Sequence, residues 1–234
     1  MKPEAPGELA VTLALGAERL GVDLTPAQRD RLIEFLALLQ RWNRVYNLTA
    51  VRDPSGMVGQ HLLDCLAVVP PLRRQTGGRP VRVLDVGSGA GLPGIVLAVA
   101  MPELDITCVD TVGKKASFIR QAAGELGLQR VQVRHARVEL LDGPGFGIIV
   151  SRAFASLGDF TSSTRRQFES ESGKAAGVWL AMKGKVPTDE LAALPAAVRV
   201  FHVEQFAVPA VDAERCLVWM RPADTDSAVP ADPI

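Results

Sequence analysis

The sequence predicts an α/β protein: a mostly parallel, seven-stranded, doubly wound sheet that follows a small N-terminal helical lobe. Three observations predict it. An apolar run at residues 81–86 passes through Gly87, Gly89, Gly91 and Gly94 into a second apolar run at 93–101, the pattern of a buried strand turning sharply into a helix. From there to residue 222 strand-like and helix-like stretches alternate, as βα units of a parallel sheet do. Ahead of the glycines, residues 8–72 carry apolar side chains at helical spacing.

Taken in order, residues 1–7, rich in Pro, Glu and Gly, are expected to be disordered, and a first helix covers 8–20 and stops at Gly21. Thr25-Pro26-Ala27-Gln28 is a capping box with proline at the first helical position. Leu32, Ile33, Leu36 and Leu39 then form a core-facing stripe, with Arg31, Glu34, Arg41 and Arg44 opposite. Asp53-Pro54 starts another helix, turning Val58, Leu62, Cys65, Leu66 and Val69 inward and ending before Pro70-Pro71. Residues 72–79, with Gly77-Gly78, form a linker. Strands are expected at 81–87, 104–110, 131–133, 146–150, 178–182, 198–206 and 216–220. Helices are expected at 93–101, 114–126, 158–170 and 188–194. No helix separates the last two strands, which predicts an antiparallel end to the sheet. The chain thus divides into a helical lobe and linker (8–79), a ligand-binding core (80–222) and a disordered tail (223–234).

Composition narrows the function. Lys+Arg and Asp+Glu are both 26, so contact with nucleic acid must come from local patches rather than a global basic excess. The three cysteines, Cys65, Cys108 and Cys216, are far apart and each sits in an apolar run. Buried thiols in a reducing cytosol are expected, and no metal site. The N-terminus lacks a signal pattern and no apolar run reaches the ~20 residues that span a bilayer. A soluble, cytoplasmic, monomeric protein without a membrane partner is expected.

Two ligand classes use such a glycine turn. From Gly89 it matches G-x-G-x-x-G, with Asp110 about where a ribose-binding acid belongs. From Asp85 it is D-x-G-x-G-x-G, which resembles the S-adenosylmethionine loop of Rossmann-like methyltransferases, where the carboxylate lies near the cofactor's amino acid part. The only tyrosine, Tyr46, precedes the core, which excludes the Tyr-x-x-x-Lys of one dehydrogenase class. The end of the fourth strand reads Ile149-Val150-Ser151-Arg152-Ala153-Phe154. It has neither the D/N-P-P-Y motif of amine methylases nor a Pro-Cys nucleophile. An acceptor that is already nucleophilic and carries no proton, such as guanine N7, fits this absence.

R-W-N-R-V-Y-N-L-T-A-V-R-D-P (Arg41 to Pro54), H-L-L-D (His61 to Asp64), V-G-S-G-A-G-L-P-G (Val86 to Gly94), S-R-A-F-A-S-L (Ser151 to Leu157) and M-K-G (Met182 to Gly184) occur in this order. Together they resemble the bacterial RsmG family, also called GidB, over about residues 8 to 221. The resemblance implies a class I Rossmann-like methyltransferase core that uses S-adenosyl-L-methionine to methylate N7 of one guanine in the decoding region of 16S rRNA. The partner it implies is that rRNA within the small ribosomal subunit or an assembly intermediate. It further implies that Gly87 and Leu92, with Asp85, Gly89 and Gly91, line the cofactor. Asp110 is expected at the ribose, Val138 and Glu139 at the adenine, and Arg152 between cofactor and target base. Gln60 stands where the family has a basic residue, and Cys65 where it has serine.

Several residues admit a plainer role. Arg152 is a site residue or half of a structural salt bridge; Asp85 is a site acid or a cap of the following turn. Arg41, Arg44 and Arg52, interleaved with Trp42 and Tyr46, form an RNA-facing stripe or a solvated helix face with its aromatics turned inward. Lys114, Lys115 and Arg120 make a second basic patch, and Lys183 is expected at the same mouth, toward RNA. His61 and Asp64, three residues apart, are expected as a hydrogen-bonded pair between lobe and core or as a catalytic dyad. Another RNA or protein acceptor, or a non-catalytic nucleotide-binding regulator, remains as an alternative function.

Overall fold

Thr25 closes the capping box expected of it: its Oγ1 accepts the Gln28 N–H at 3.2 Å, and Gln28 Oε1 accepts the Thr25 N–H at 2.9 Å. Helix α2 (Pro26–Tyr46) starts there, after helix α1 (Pro6–Arg19). The computed structural model describes residues 6–143, 145–152, 154–171 and 174–223. Of the disordered ends expected at 1–7 and 223–234, residues 1–5 and 224–234 lie outside the described residues, as does Ala153; Pro6 and Gly7 already belong to α1, and the Ala223 N–H donates to the Ala197 carbonyl at 2.9 Å.

Asp53 caps α3 (Pro54–Met57), which runs into a π-helical stretch, Val58–Leu63, and then α4 (Asp64–Leu66). Pro70 and Pro71 do not end this run. They occupy the first turn of α5 (Val69–Thr76), where a missing N–H leaves no helical bond unmade. The expected linker is therefore helical as far as Thr76, and Gly77 ends the helix at φ 60°.

The sheet and its crossovers follow as β1 (Arg82–Val86), α6 (Gly94–Ala100), β2 (Asp105–Asp110), α7 (Gly113–Glu125), β3 (Val131–His135) and β4 (Ile148–Arg152). After α8 (Leu157–Thr164) and a 3-10 turn at Arg165–Gln167, a hairpin forms from β5 (Glu169–Glu171) and β6 (Lys174–Ala176). A single helix over 158–170 was expected. The chain instead becomes extended at Phe168, whose buried ring meets Trp179 edge-on at 4.6 Å. Then come β7 (Val178–Lys183), α9 (Thr188–Ala192), β8 (Val198–Phe206) and β9 (Arg215–Pro222).

The seven-stranded sheet has the order β3-β2-β1-β4-β7-β9-β8. Pairs from β3 to β7 are parallel, and β9 runs antiparallel to both β7 and β8. The order reverses direction between β1 and β4, where open α/β sheets bind ligands at the carboxyl ends of their strands.

Side chains alternate between two apolar clusters, as the two-residue strand period requires. Val83, Ile106, Cys108, Ile148, Val150, Leu180, Leu217 and Trp219 join one face to α1, α2, α6, α7 and the π-helical stretch. Leu84, Val86, Val109, Ile149, Trp179, Ala181, Val218 and Met220 face α8. This parity places Asp85, Arg152 and Arg215 on the face of the N-terminal helices, and Lys183 on the other. Among the described residues no helix is long and apolar enough to cross a membrane.

Candidate active site

The glycine loop folds because its glycines take conformations other residues avoid. Gly87, Gly89 and Gly91 have φ of 67°, 57° and 75°, and such left-handed backbone is strained for any side chain with a Cβ. Gly94 answers to space rather than φ: a Cβ there would lie 2.6 Å from Cys108 Sγ and 2.8 Å from Asp85 Oδ2. Gly87 is exposed and a Cβ on it would meet nothing within 4 Å, so the loop leaves open space at its tip. Leu92 is buried beneath the loop.

Asp85 lies fully buried near the end of β1. Its Oδ2 accepts the Gly94 N–H at 2.9 Å, while Oδ1 meets no donor among the described residues. Burial drives its pKa from 3.8 up to about 7, against the opposing pull of the Gly94 N–H, Ser88 and Arg152; the neighbouring Asp110 adds to the rise. The cap reading of Asp85 thus describes one oxygen, and the other remains available. An unpaired buried carboxylate oxygen is costly unless a donor arrives.

Asp110, at the end of β2, accepts the Gly89 N–H through Oδ2 at 2.9 Å and the Val112 N–H through Oδ1 at 2.8 Å. It braces the glycine loop, a role that the ribose reading omits. Val138 and Glu139 occupy a 3-10 turn, Val138–Leu140; Val138 is buried, with its carbonyl held by Gln167 Nε2 at 3.0 Å, and Glu139 is exposed.

Arg152, the last residue of β4, donates from Nη1 to the Gln60 carbonyl at 2.9 Å and to Asp64 Oδ2 at 3.3 Å. The salt-bridge reading of Arg152 is therefore realised, though its side chain keeps 24% of its exposure. Arg215 takes the other oxygen of Asp64 at 2.6 Å. His61 and Asp64 do not bond to each other as expected. The π-helical stretch turns His61 Nε2 to Thr49 Oγ1 at 2.8 Å, and Asp64 goes to the two arginines. Burial, reinforced by the nearby Arg152 charge, lowers His61 to about 4, so its ring is neutral at pH 7. Sequence reasoning missed Arg215 and the Gln60 carbonyl as partners. Strand parity held the available signal, because Arg152 and Arg215 share the face that meets the N-terminal helices.

A family model described as GidB, rRNA small subunit methyltransferase G, matches residues 28–218. The chain belongs to the rRNA small subunit methyltransferase G family. It is similar to the Ribosomal RNA small subunit methyltransferase G of Acidovorax sp. (strain JS42), 59% identical over 215 residues covering 88% of this chain and 92% of that one. The protein of the same name from Methylibium petroleiphilum is 58% identical over 212 residues, 91% and 94% of the two chains. Among solved structures, MtNAS in complex with MTA and tNA superposes with a TM-score of 0.56 at 14% identity over 95% of this chain and 91% of that one. TrmN from Thermus thermophilus gives 0.54 at 18% identity over 70% and 53%. These two bear on the fold alone, which is the class I Rossmann-like methyltransferase fold.

Gln60 contributes its backbone carbonyl to Arg152, a contact that any side chain would leave in place, and Cys65 is fully buried. Arg41 and Arg44 are exposed near the end of α2. Neighbouring Trp42 packs against Phe118 at 5.5 Å, and Tyr46 lies 5.0 Å from Trp42 while remaining 41% exposed. Lys183 is a correction to the expected geometry. Parity sends it away from Arg152, into an ion pair with Glu190 at 2.9 Å, and its side chain is only 13% exposed.

Proposed function

We propose that this protein transfers a methyl group from S-adenosyl-L-methionine to N7 of a guanine in the decoding region of 16S rRNA, within the small ribosomal subunit or an assembly intermediate in the cytoplasm. The observation that carries the ligand reading is Asp85 Oδ1, buried and unpaired beside a glycine loop with open space at its tip. The rRNA acceptor is supported by relatives above 50% identity named Ribosomal RNA small subunit methyltransferase G.

The residues present fit the cofactor. Asp85 would receive its ammonium group; Gly87, Gly89, Gly91 and Leu92 would form the wall along its amino acid part. Asp110 has a lone pair left on each oxygen for the ribose hydroxyls, and Val138 and Glu139 would border the adenine. When bound, S-adenosylmethionine supplies a methyl already activated on a sulfonium.

The chain's task is then positioning and shielding. Guanine N7 carries no proton, so direct in-line attack needs no general base. Each acid at this end of the sheet has another task in that reading: Asp64 is matched by two arginines, Asp110 by two backbone N–H groups, and Asp85 by the Gly94 N–H on one oxygen and the cofactor's ammonium group on the other. Arg152 would hold guanine O6 or a flanking phosphate, because a guanidinium bonded to N7 itself would block attack. Exposed Glu139, or an RNA phosphate, would offset the positive charge that develops on the base.

The test is transfer of label from S-adenosylmethionine to small subunits that lack the modification, followed by digestion to nucleosides. Label in 7-methylguanosine supports the reading; label in another nucleoside, or only in protein, contradicts it.

A further inference from the structure

Asp64 is 4% exposed and accepts from two arginines on different strands, Arg152 on β4 and Arg215 on β9. Buried ions persist only where they are paired, and one carboxylate against two guanidiniums leaves this cluster net positive. Its parts come from segments far apart in the chain. Arg152 also bonds the carbonyl of Gln60 in the π-helical stretch, a type of helical irregularity that recurs at functional sites. The β8–β9 loop lies on the same stretch: a Cβ on Gly59 would stand 3.2 Å from both Ala210 O and Val211 Cγ2. Among the described residues, Nη1 is the Arg152 atom that hydrogen-bonds to protein, so Nε and Nη2 keep their donor capacity.

We propose that Asp64 is a positioning residue, fixed in turn by Arg215, that sets the Arg152 guanidinium for an acceptor oxygen: guanine O6 or a phosphate next to the target base. This rests on the methyl-transfer reading above. A buried ion pair adds little stability compared with apolar packing of equal volume. What it does supply is direction. With Nη1 tied to Asp64 Oδ2 and the Gln60 carbonyl, the planar guanidinium has its orientation fixed, and its remaining N–H groups form the edge that binds oxygen acceptors. Arg215, its side chain 22% exposed, takes the other oxygen of Asp64 and so holds that carboxylate in place.

Single-turnover transfer to small subunits is compared for wild type, Asp64→Asn, Arg152→Lys and the double variant, with S-adenosylmethionine binding followed by calorimetry. Asp64→Asn should slow transfer on the order of 100-fold, as a misplacement of about 1 Å does, and leave cofactor affinity unchanged. The double variant should be no slower than Arg152→Lys alone, because residues acting through one another lose their effects together. Wild-type rates in Asp64→Asn, additive losses in the double variant, or equal losses of rate and cofactor binding overturn the proposal. If Asp64→Asn fails to melt cooperatively, Arg215→Lys replaces it, with the same slowing and non-additivity expected and wild-type rates overturning. A wild-type protein that methylates no subunit overturns the underlying reading, whereas an active wild type beside a fully active Asp64→Asn overturns this proposal alone.

Discussion

Asp110 Oδ2 accepts the Gly89 N–H at 2.9 Å, so the acid that ends β2 holds the loop that follows β1. Hydrogen bonds to charged groups contribute about 1.5–3 kcal/mol each. Asp110→Ala removes the bonds to Gly89 and Val112 together with any ribose contact. Its dissociation constant for S-adenosylmethionine should rise roughly 100-fold, against roughly tenfold for Asp110→Asn, which keeps one acceptor oxygen. Calorimetric titration of both variants checks the order; equal losses would mean that the loop contacts are immaterial.

Asp85 and His61 give the ligand-free protein an unusual pH profile. Asp85 titrates at about 7 when folded and near 3.8 when unfolded, so the folded state holds the extra proton and stability falls as pH rises from about 4 to 7. His61 titrates at about 4 when folded against 6.5, which gives stability that is present above 6.5 and lost as pH falls toward 4. The two oppose each other from about 4 to 6.5, leaving a net fall between 6.5 and 7. Urea unfolding of Asp85→Asn at pH 8 should show a ligand-free protein more stable than wild type, with weakened S-adenosylmethionine binding. Wild-type cofactor affinity in that variant would remove Asp85 from the site.

Gly94 and Gly87 should fail for different reasons. Gly94→Ala drives a methyl into Cys108 Sγ and Asp85 Oδ2, and overpacking of this kind costs about 1–3 kcal/mol. Gly87→Ala meets no atom but keeps φ 67°, a strain of about 1–2 kcal/mol. Urea titrations should show both losses. In Gly87→Ala the added methyl also enters the space assigned to the cofactor, so affinity should fall by more than stability does.

Arg41 and Arg44 project from α2 as exposed cations beside the half-exposed Tyr46 ring. If they meet rRNA phosphates, Arg41→Ala and Arg44→Ala should each weaken RNA binding and reduce the slope of log affinity against log salt by about 1. Affinities for small subunits over a range of salt decide this. An unchanged slope would leave them as a solvated helix face.

Signals carried by neighbouring residues were legible in the sequence; those made by distant chain segments were not. Thr25 and Gln28 announced their capping box because both partners sit within one turn. The second bond of Gln28, from Nε2 to the Val99 carbonyl at 2.8 Å, fastens α2 to the end of α6 and has no local sign. The glycine loop with Asp85 and Asp110 was found from spacing alone, yet the mutual bracing of Asp110 and Gly89 depends on β1 pairing with β2. Pro70-Pro71 misled because proline both ends helices and opens them. Lys183 misled because its position at a strand end was considered without its parity, which turns it to Glu190. Asp64 was paired with His61 on spacing, whereas its true partners, Arg152 and Arg215, lie 88 and 151 residues away.

The most direct measurement is to map methyl label on 16S rRNA after single turnover with undermodified small subunits, using wild type and Arg152→Ala side by side. The account predicts 7-methylguanosine at one position in the decoding region, formed by the wild type and lost in the variant while both bind S-adenosylmethionine. Cofactor binding by the wild type without methylation of subunits or rRNA would contradict it.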